Sequence, residues 1–179
     1  MAEEKKEPWL NYLALTTVIF AVCATLSTFK GGSYSTRSIL NQSLATNQWA
    51  YYQAKSLKGY LYEIQKESLE ADLQQKGEAL PPALLEEQKE RVNTYAKRIA
   101  RYDSEKADIQ KVAKGFEDTR DDAQRHSQIF GIAVIFLQIA ILLSSIAALM
   151  KKKIVWMLGV LFGIAGIVYF ANGFFVFFT

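Results

Sequence analysis

Ser127 to Met150 reads SQIFGIAVIFLQIAILLSSIAALM, Lys151-Lys152-Lys153 follows, and Ile154 to Thr179 reads IVWMLGVLFGIAGIVYFANGFFVFFT. These two apolar runs, 24 and 26 residues long, hold no Lys, Arg, Asp or Glu. A soluble helix is interrupted by charge every few residues on its wet face, whereas a run of about 18 or more apolar residues is long enough to cross a bilayer. Working back, Pro8 to Phe29 is a third such run, of 22 residues. All 21 basic and 18 acidic residues fall in what remains of the 179, so a mean hydropathy near zero averages two materials and a single soluble domain is excluded. The segments outside the runs are too small for a conventional enzyme domain of roughly 100 to 150 residues with its own core.

The expected layout is a leader over 1–8, spans over 9–29, 129–150 and 154–178, a loop at 151–153, and a charged segment over 30–128. The first run reads as an anchor and not as a cleavable signal: its leader Glu3-Glu4-Lys5-Lys6-Glu7 is net acidic, the run is long, and no small-x-small cleavage site follows cleanly. Lysines in short loops stay on the cytoplasmic side, so Lys151, Lys152 and Lys153 orient the chain. Spans two and three form a tight pair around them, the N-terminus is cytoplasmic, and 30–128 is extracytoplasmic. Trp9 and Trp156 suit interfacial anchoring on the cytoplasmic side.

The charged segment lacks strand alternation and breaks clearly once, at Lys76-Gly77-Glu78-Ala79-Leu80-Pro81-Pro82. Glycine after lysine suits a helix C-terminus and proline suits the first turn of the next helix. The spacing predicts two nearly equal arms, 35–75 and 83–127, folded as an antiparallel helical hairpin. The fold class is thus all-α, with three transmembrane helices and a coiled-coil hairpin outside the cytoplasm. On the second arm a 3-4 repeat marks the seam: Leu85, Gln88, Val92, Tyr95, Ile99, Tyr102, Lys106, Ile109, Ala113, Phe116, Arg120 and Ala123. On the first arm the repeat Leu40, Ser43, Asn47, Ala50, Ala54, Leu57, Leu61, Ile64, Ser68 and Ala71 is expected to face it. Gly31-Gly32 is expected to act as a hinge between span one and the first arm.

Charge is distributed unequally between the arms. From Gly31 to Ala54 only Arg37 is charged, while Lys114 to His126 is dense in ions. Uncharged amides and aromatics suit a surface buried against protein, and one partner helix covers only part of that face. Asn41, Asn47, Gln48, Trp49, Tyr51, Tyr52, Tyr60 and Tyr62 are therefore the candidate oligomer interface, with copies of the same chain as partner. The alternative is that these aromatics pack within the hairpin or against headgroups. In the spans, Gly159, Gly163 and Gly166 form a small-residue face for helix packing, and Gln138 and Asn172 are amides expected to bond between helices.

Catalytic patterns are missing. HExxH, GxSxG and CxxC do not occur, and Gly31-Gly32 lacks a phosphate-loop context. His126 is the only histidine and Cys23 the only cysteine, so neither a metal cluster nor a disulfide is expected within one chain. The absence of charge inside the spans argues against ion coupling through carboxylates. Lys30 to His126 has 16 basic against 15 acidic residues, which offers nucleic acid no basic face.

The runs WLNYLAL (9–15), FKGGSYSTR (29–37) and NQWAYYQAKS (47–56) resemble a bacterial family of small inner-membrane proteins described as a domain of unknown function. The resemblance covers essentially the whole chain. It implies a bacterial inner membrane and the same arrangement of spans, and brings no activity, ligand or cofactor. The expected function is a non-enzymatic homo-oligomeric scaffold, or an accessory of a larger membrane complex, in contact with membrane lipids. The competing expectation is a channel or transport component whose polar conduit is lined by the first arm.

Overall fold

A computed structural model describes residues 8–76 and 79–178. The acidic leader, the Gly77-Glu78 part of the break and Thr179 lie outside the described residues. The described residues form three α-helices: α1 (Pro8–Lys76), α2 (Pro82–Met150) and α3 (Lys153–Phe175). Each is long and apolar enough to cross a membrane. Pro82 opens α2, where a missing N–H costs nothing, and the Leu85 amide donates to the Pro81 carbonyl. Between α2 and α3 the chain turns on Lys151, whose φ of 52° is left-handed, while the Lys152 amide bonds back to Ala147.

α1 carries many hydroxyls through and just beyond its apolar part, and most of them bond to their own helix, Ser27 being buried without a partner. Thr17, Thr25 and Thr28 each donate to the carbonyl four residues earlier, as do Ser33 and Thr36, so these side chains satisfy themselves on their own helix. The helix continues unbroken through Gly31-Gly32, which corrects the expected hinge. Gly31 instead allows a close approach: a Cβ there would lie 3.1 Å from that of Phe130.

The chain divides into two compact units. The first joins Met1–Leu40 to Thr119–Thr179. Its core is Phe20, Ala24, Leu137 and Ala140, with Cys23, Ile141, Phe162 and Ile167 packed around it. α3 meets α1 and α2 through glycines. Cβ atoms added at Gly163, Gly166 and Gly173 would fall 2.1 Å from the Phe20 ring, 2.7 Å from Leu137 and 2.7 Å from the Phe130 ring. Three large side chains therefore sit in three holes that only glycine leaves open.

α3 ends earlier than the predicted 178. Val176 takes a left-handed φ of 49°, unusual for a β-branched residue, and its amide caps the Asn172 carbonyl. The Asn172 side chain holds the following turn: its Nδ2 donates to the Phe178 carbonyl and its Oδ1 accepts from the Phe178 amide. Asn172, expected to bond between helices, is thus satisfied within its own segment.

The second unit is Asn41–Asp118. Here α1 and α2 run antiparallel, since Trp49 meets Glu117, Lys55 meets Glu105 and Tyr62 meets Arg98. Every seam position predicted for α2 is buried or half-buried, with Ile109 and Ala113 fully inside. On α1 the expectation is overturned. All ten predicted positions from Leu40 to Ala71 are exposed, and the residues facing α2 are Asn41, Ala45, Gln48, Tyr52, Lys55, Gly59, Tyr62, Lys66, Leu69 and Leu73. That set also repeats with 3-4 spacing. Its polar members pack through rings and methylene stems, with only their tips needing a polar partner.

Candidate functional site

In the Asn41–Asp118 unit α1 carries two stripes of identical period, offset by roughly 160° at about 100° per residue. The inner stripe is an aromatic and ionic ladder. Tyr62 lies 5.6 Å from the Tyr95 ring and 5.9 Å from that of Tyr102, under the Arg98 guanidinium. Lys55 bonds Glu105 and sits over the rings of Tyr51 and Tyr102. Trp49 Nε1 donates to Glu117 at 2.8 Å, and its ring meets Tyr52 edge-on.

The ladder also tunes charge. Hydrogen bonds from Lys55 and then Arg101 hold the Glu105 carboxyl below the usual carboxylate range, and the bond to Glu105, followed by one to Tyr51, raises Lys55. A lowered acid stabilises the fold above its ordinary pKa and loses that contribution as pH falls through the lowered one. A raised base contributes below its ordinary pKa and stops as pH rises through the raised one. The Lys55–Glu105 contact therefore persists between the two limits and is released outside them. Both groups reach solvent, so this contact steers pairing more than it stabilises.

The outer stripe is uncovered. Leu57, Leu61 and Ile64 are 62%, 52% and 63% exposed, and Tyr51 and Tyr60 flank them half-exposed. Asn47, Ala50 and Ala54 continue the row. Of the candidate interface residues, the structure gathers Asn41, Gln48, Trp49, Tyr52 and Tyr62 on the covered side and leaves Asn47, Tyr51 and Tyr60 on the open one. The aliphatic part of the open face is what sequence reasoning assigned to the interior. Its 3-4 repeat was visible; the signal passed over was the second, more polar repeat through Ala45 and Gly59.

In the first unit Gly159, Gly163 and Gly166 are buried against Ala140, Phe20 and Leu137. Gln138 faces outward, and among the described residues it makes no hydrogen bond. The tryptophans meet, Trp9 and Trp156 lying 6.2 Å apart, with Trp156 Nε1 donating to Thr16. His126 stacks on Tyr34 at 4.5 Å, and its Nδ1 donates to the Gly173 carbonyl at 2.8 Å. Ser127 Oγ donates to the Gly31 carbonyl beside it. The two histidine-side contacts tie α1, α2 and α3 to one another. The Ser127 hydroxyl beside the ring is engaged by the Gly31 carbonyl, and among the described residues no group of three His, Cys, Asp or Glu could hold a metal.

A family model described as Domain of unknown function (DUF4337) matches residues 9–176. The chain belongs to this family. The match takes in nearly all of the described residues of this DUF4337 chain, from the Trp9 end of α1 to the turn after α3. No curated protein and no solved structure matches the DUF4337 chain.

Proposed function

We propose that the protein is a non-enzymatic, self-associating scaffold of the bacterial inner membrane, or the accessory subunit of a larger complex there. In this reading three helices span the bilayer, the N-terminus and the Lys151-Lys152-Lys153 turn lie in the cytoplasm, and α1 and α2 continue outside it as a coiled-coil hairpin. The lysine triplet in the shortest turn supports that orientation. The pairing of Trp9 with Trp156 puts both indoles at one end of the unit, as an interfacial anchor needs.

One observation carries the proposal: α1 has two opposed stripes in the Asn41–Asp118 unit, and α2 covers one of them. An aliphatic row at coiled-coil spacing is stable in water only when another surface takes it out of solvent. Gln138 adds to this, since an outward amide in a helix of hydrocarbon length gains from a partner outside its own chain. A channel with a conduit lined by the first arm is less well supported, because Leu57, Leu61 and Ile64 would line it with hydrocarbon.

Co-expression of two differently tagged full-length copies tests the reading. Isolation of one tag from mild-detergent extracts is expected to bring the other with it, and mixing separately made extracts supplies the background. Recovery no higher than that background would remove self-association from the account.

A further inference from the structure

We propose that two copies of the chain zip in parallel along the open stripe of α1, with the Asn47 amides of the copies paired in one layer. This rests on the self-association reading and names the surface, register and direction through which it acts.

The stripe has the grammar of a two-stranded seam. With Asn47, Ala54 and Leu61 at the first apolar position of each seven-residue repeat, Ala50, Leu57 and Ile64 fall at the second. All six are exposed on the single chain. A seam of fixed period needs a partner helix of the same period and comparable length. Within the second unit the outer side of α2 does not qualify, since Lys97, Lys111 and Lys114 lie exposed on it. The stripe of α1 in another copy fits, and Asn47 makes the choice specific. A carboxamide offers one donor and one acceptor group, so it satisfies its own copy across a two-fold axis. A lone Asn at this seam position is the known device for holding two helices in parallel and in register.

Charge favours the same pairing. In parallel register the residues flanking the seam are Thr46 against Tyr51, Gln53 against Lys58 and Tyr60 against Gln65, so no like charges meet. The first like-charge pair is Glu67 against Asp72, just beyond Ile64. Close pairing therefore runs from Asn47 to Ile64 and opens past it. Ala50 and Ala54 bring the backbones nearest at the Asn47 end. With Tyr51 and Tyr60 contributing from both copies, the contact removes on the order of 1,200 Å² from water, the lower end for a specific stable interface. Copies held in one membrane share one orientation, which makes parallel the accessible direction.

Oxidative cross-linking in membranes tests the register, using full-length protein carrying Cys23→Ser and one new cysteine. Ala50→Cys, Leu57→Cys and Ile64→Cys are each expected to form a disulfide with the same residue of another copy, giving a band of twice the chain mass, while Lys111→Cys stays single. Leu57→Glu, a change at a surface position of the lone chain, is expected to lower the paired fraction at least tenfold. Self-linking at Leu57 alone, with Ala50→Cys joining Ile64→Cys in mixed membranes, would mean antiparallel strands and overturn the proposal. Linkage of the stripe to a different protein would overturn it as well. No linkage at any stripe position while tagged copies still co-purify would reject the stripe and leave self-association standing; no linkage and no co-purification would reject both.

Discussion

Replacing Phe130 with alanine is expected to cost about 3–5 kcal/mol, the range for removing a fully buried aromatic ring from a packed core. Phe130 is 0% exposed. Its ring meets Phe174 edge-on at 5.1 Å, Phe170 at 6.3 Å and Tyr34 at 6.0 Å, and it lies against the face of α3 that Gly173 leaves bare. The neighbouring contacts from His126 to Gly173 and from Ser127 to Gly31 depend on the same spacing. Losing the ring therefore opens a cavity where all three helices converge. Thermal unfolding of detergent-extracted protein, followed by helical circular dichroism, measures the effect. Gly131→Ala is the matched control, since a Cβ there meets nothing within 4 Å. A Phe130→Ala midpoint as high as that of the control would show that this junction does not hold the unit together.

Gly163→Leu is the second large effect. A Cβ at Gly163 already falls 2.1 Å from Phe20 Cζ, and Phe20 is 3% exposed within the core cluster. Phe20 is packed in the core, so a leucine at 163 displaces either its ring or the helices. Overpacking of this kind costs about 1–3 kcal/mol and sometimes more. The double variant Phe20→Ala with Gly163→Leu restores approximate volume and is expected to recover part of the loss, because the two residues share one contact and their effects do not add. The same unfolding assay reads both. A loss in the double variant equal to the sum of the losses in Phe20→Ala and Gly163→Leu would contradict the knob-in-hole contact.

Legibility differed between the parts of this chain for physical reasons. The three apolar helices were readable because hydrocarbon length and freedom from charge are properties of composition alone. The seam of α2 was readable too, since its apolar residues at Ile99, Ile109 and Ala113 contrast with charges on every other side. α1 misled because it carries two overlapping seven-residue repeats. Hydropathy favours the one through Leu57, Leu61 and Ile64, yet α2 covers the one through Ala45, Tyr52, Gly59 and Tyr62. The ionic tips of Lys55 and Lys66 disguise long apolar stems, and a ladder of tyrosines stacked across to Tyr95 and Tyr102 depends on contacts distant in sequence. Asn172 went to its own C-terminal turn because Phe178, six residues on, lies within reach of its amide. Gly31-Gly32 looked like a hinge from composition, whereas helix continuity there follows from packing against Phe130.

The open face of α1 gives the account its most direct test, the native mass of full-length protein released from membranes in mild detergent. A particle containing two or more copies of the 20.2 kDa chain is the predicted result. A particle containing one copy, whether alone or bound to some other protein, would contradict it.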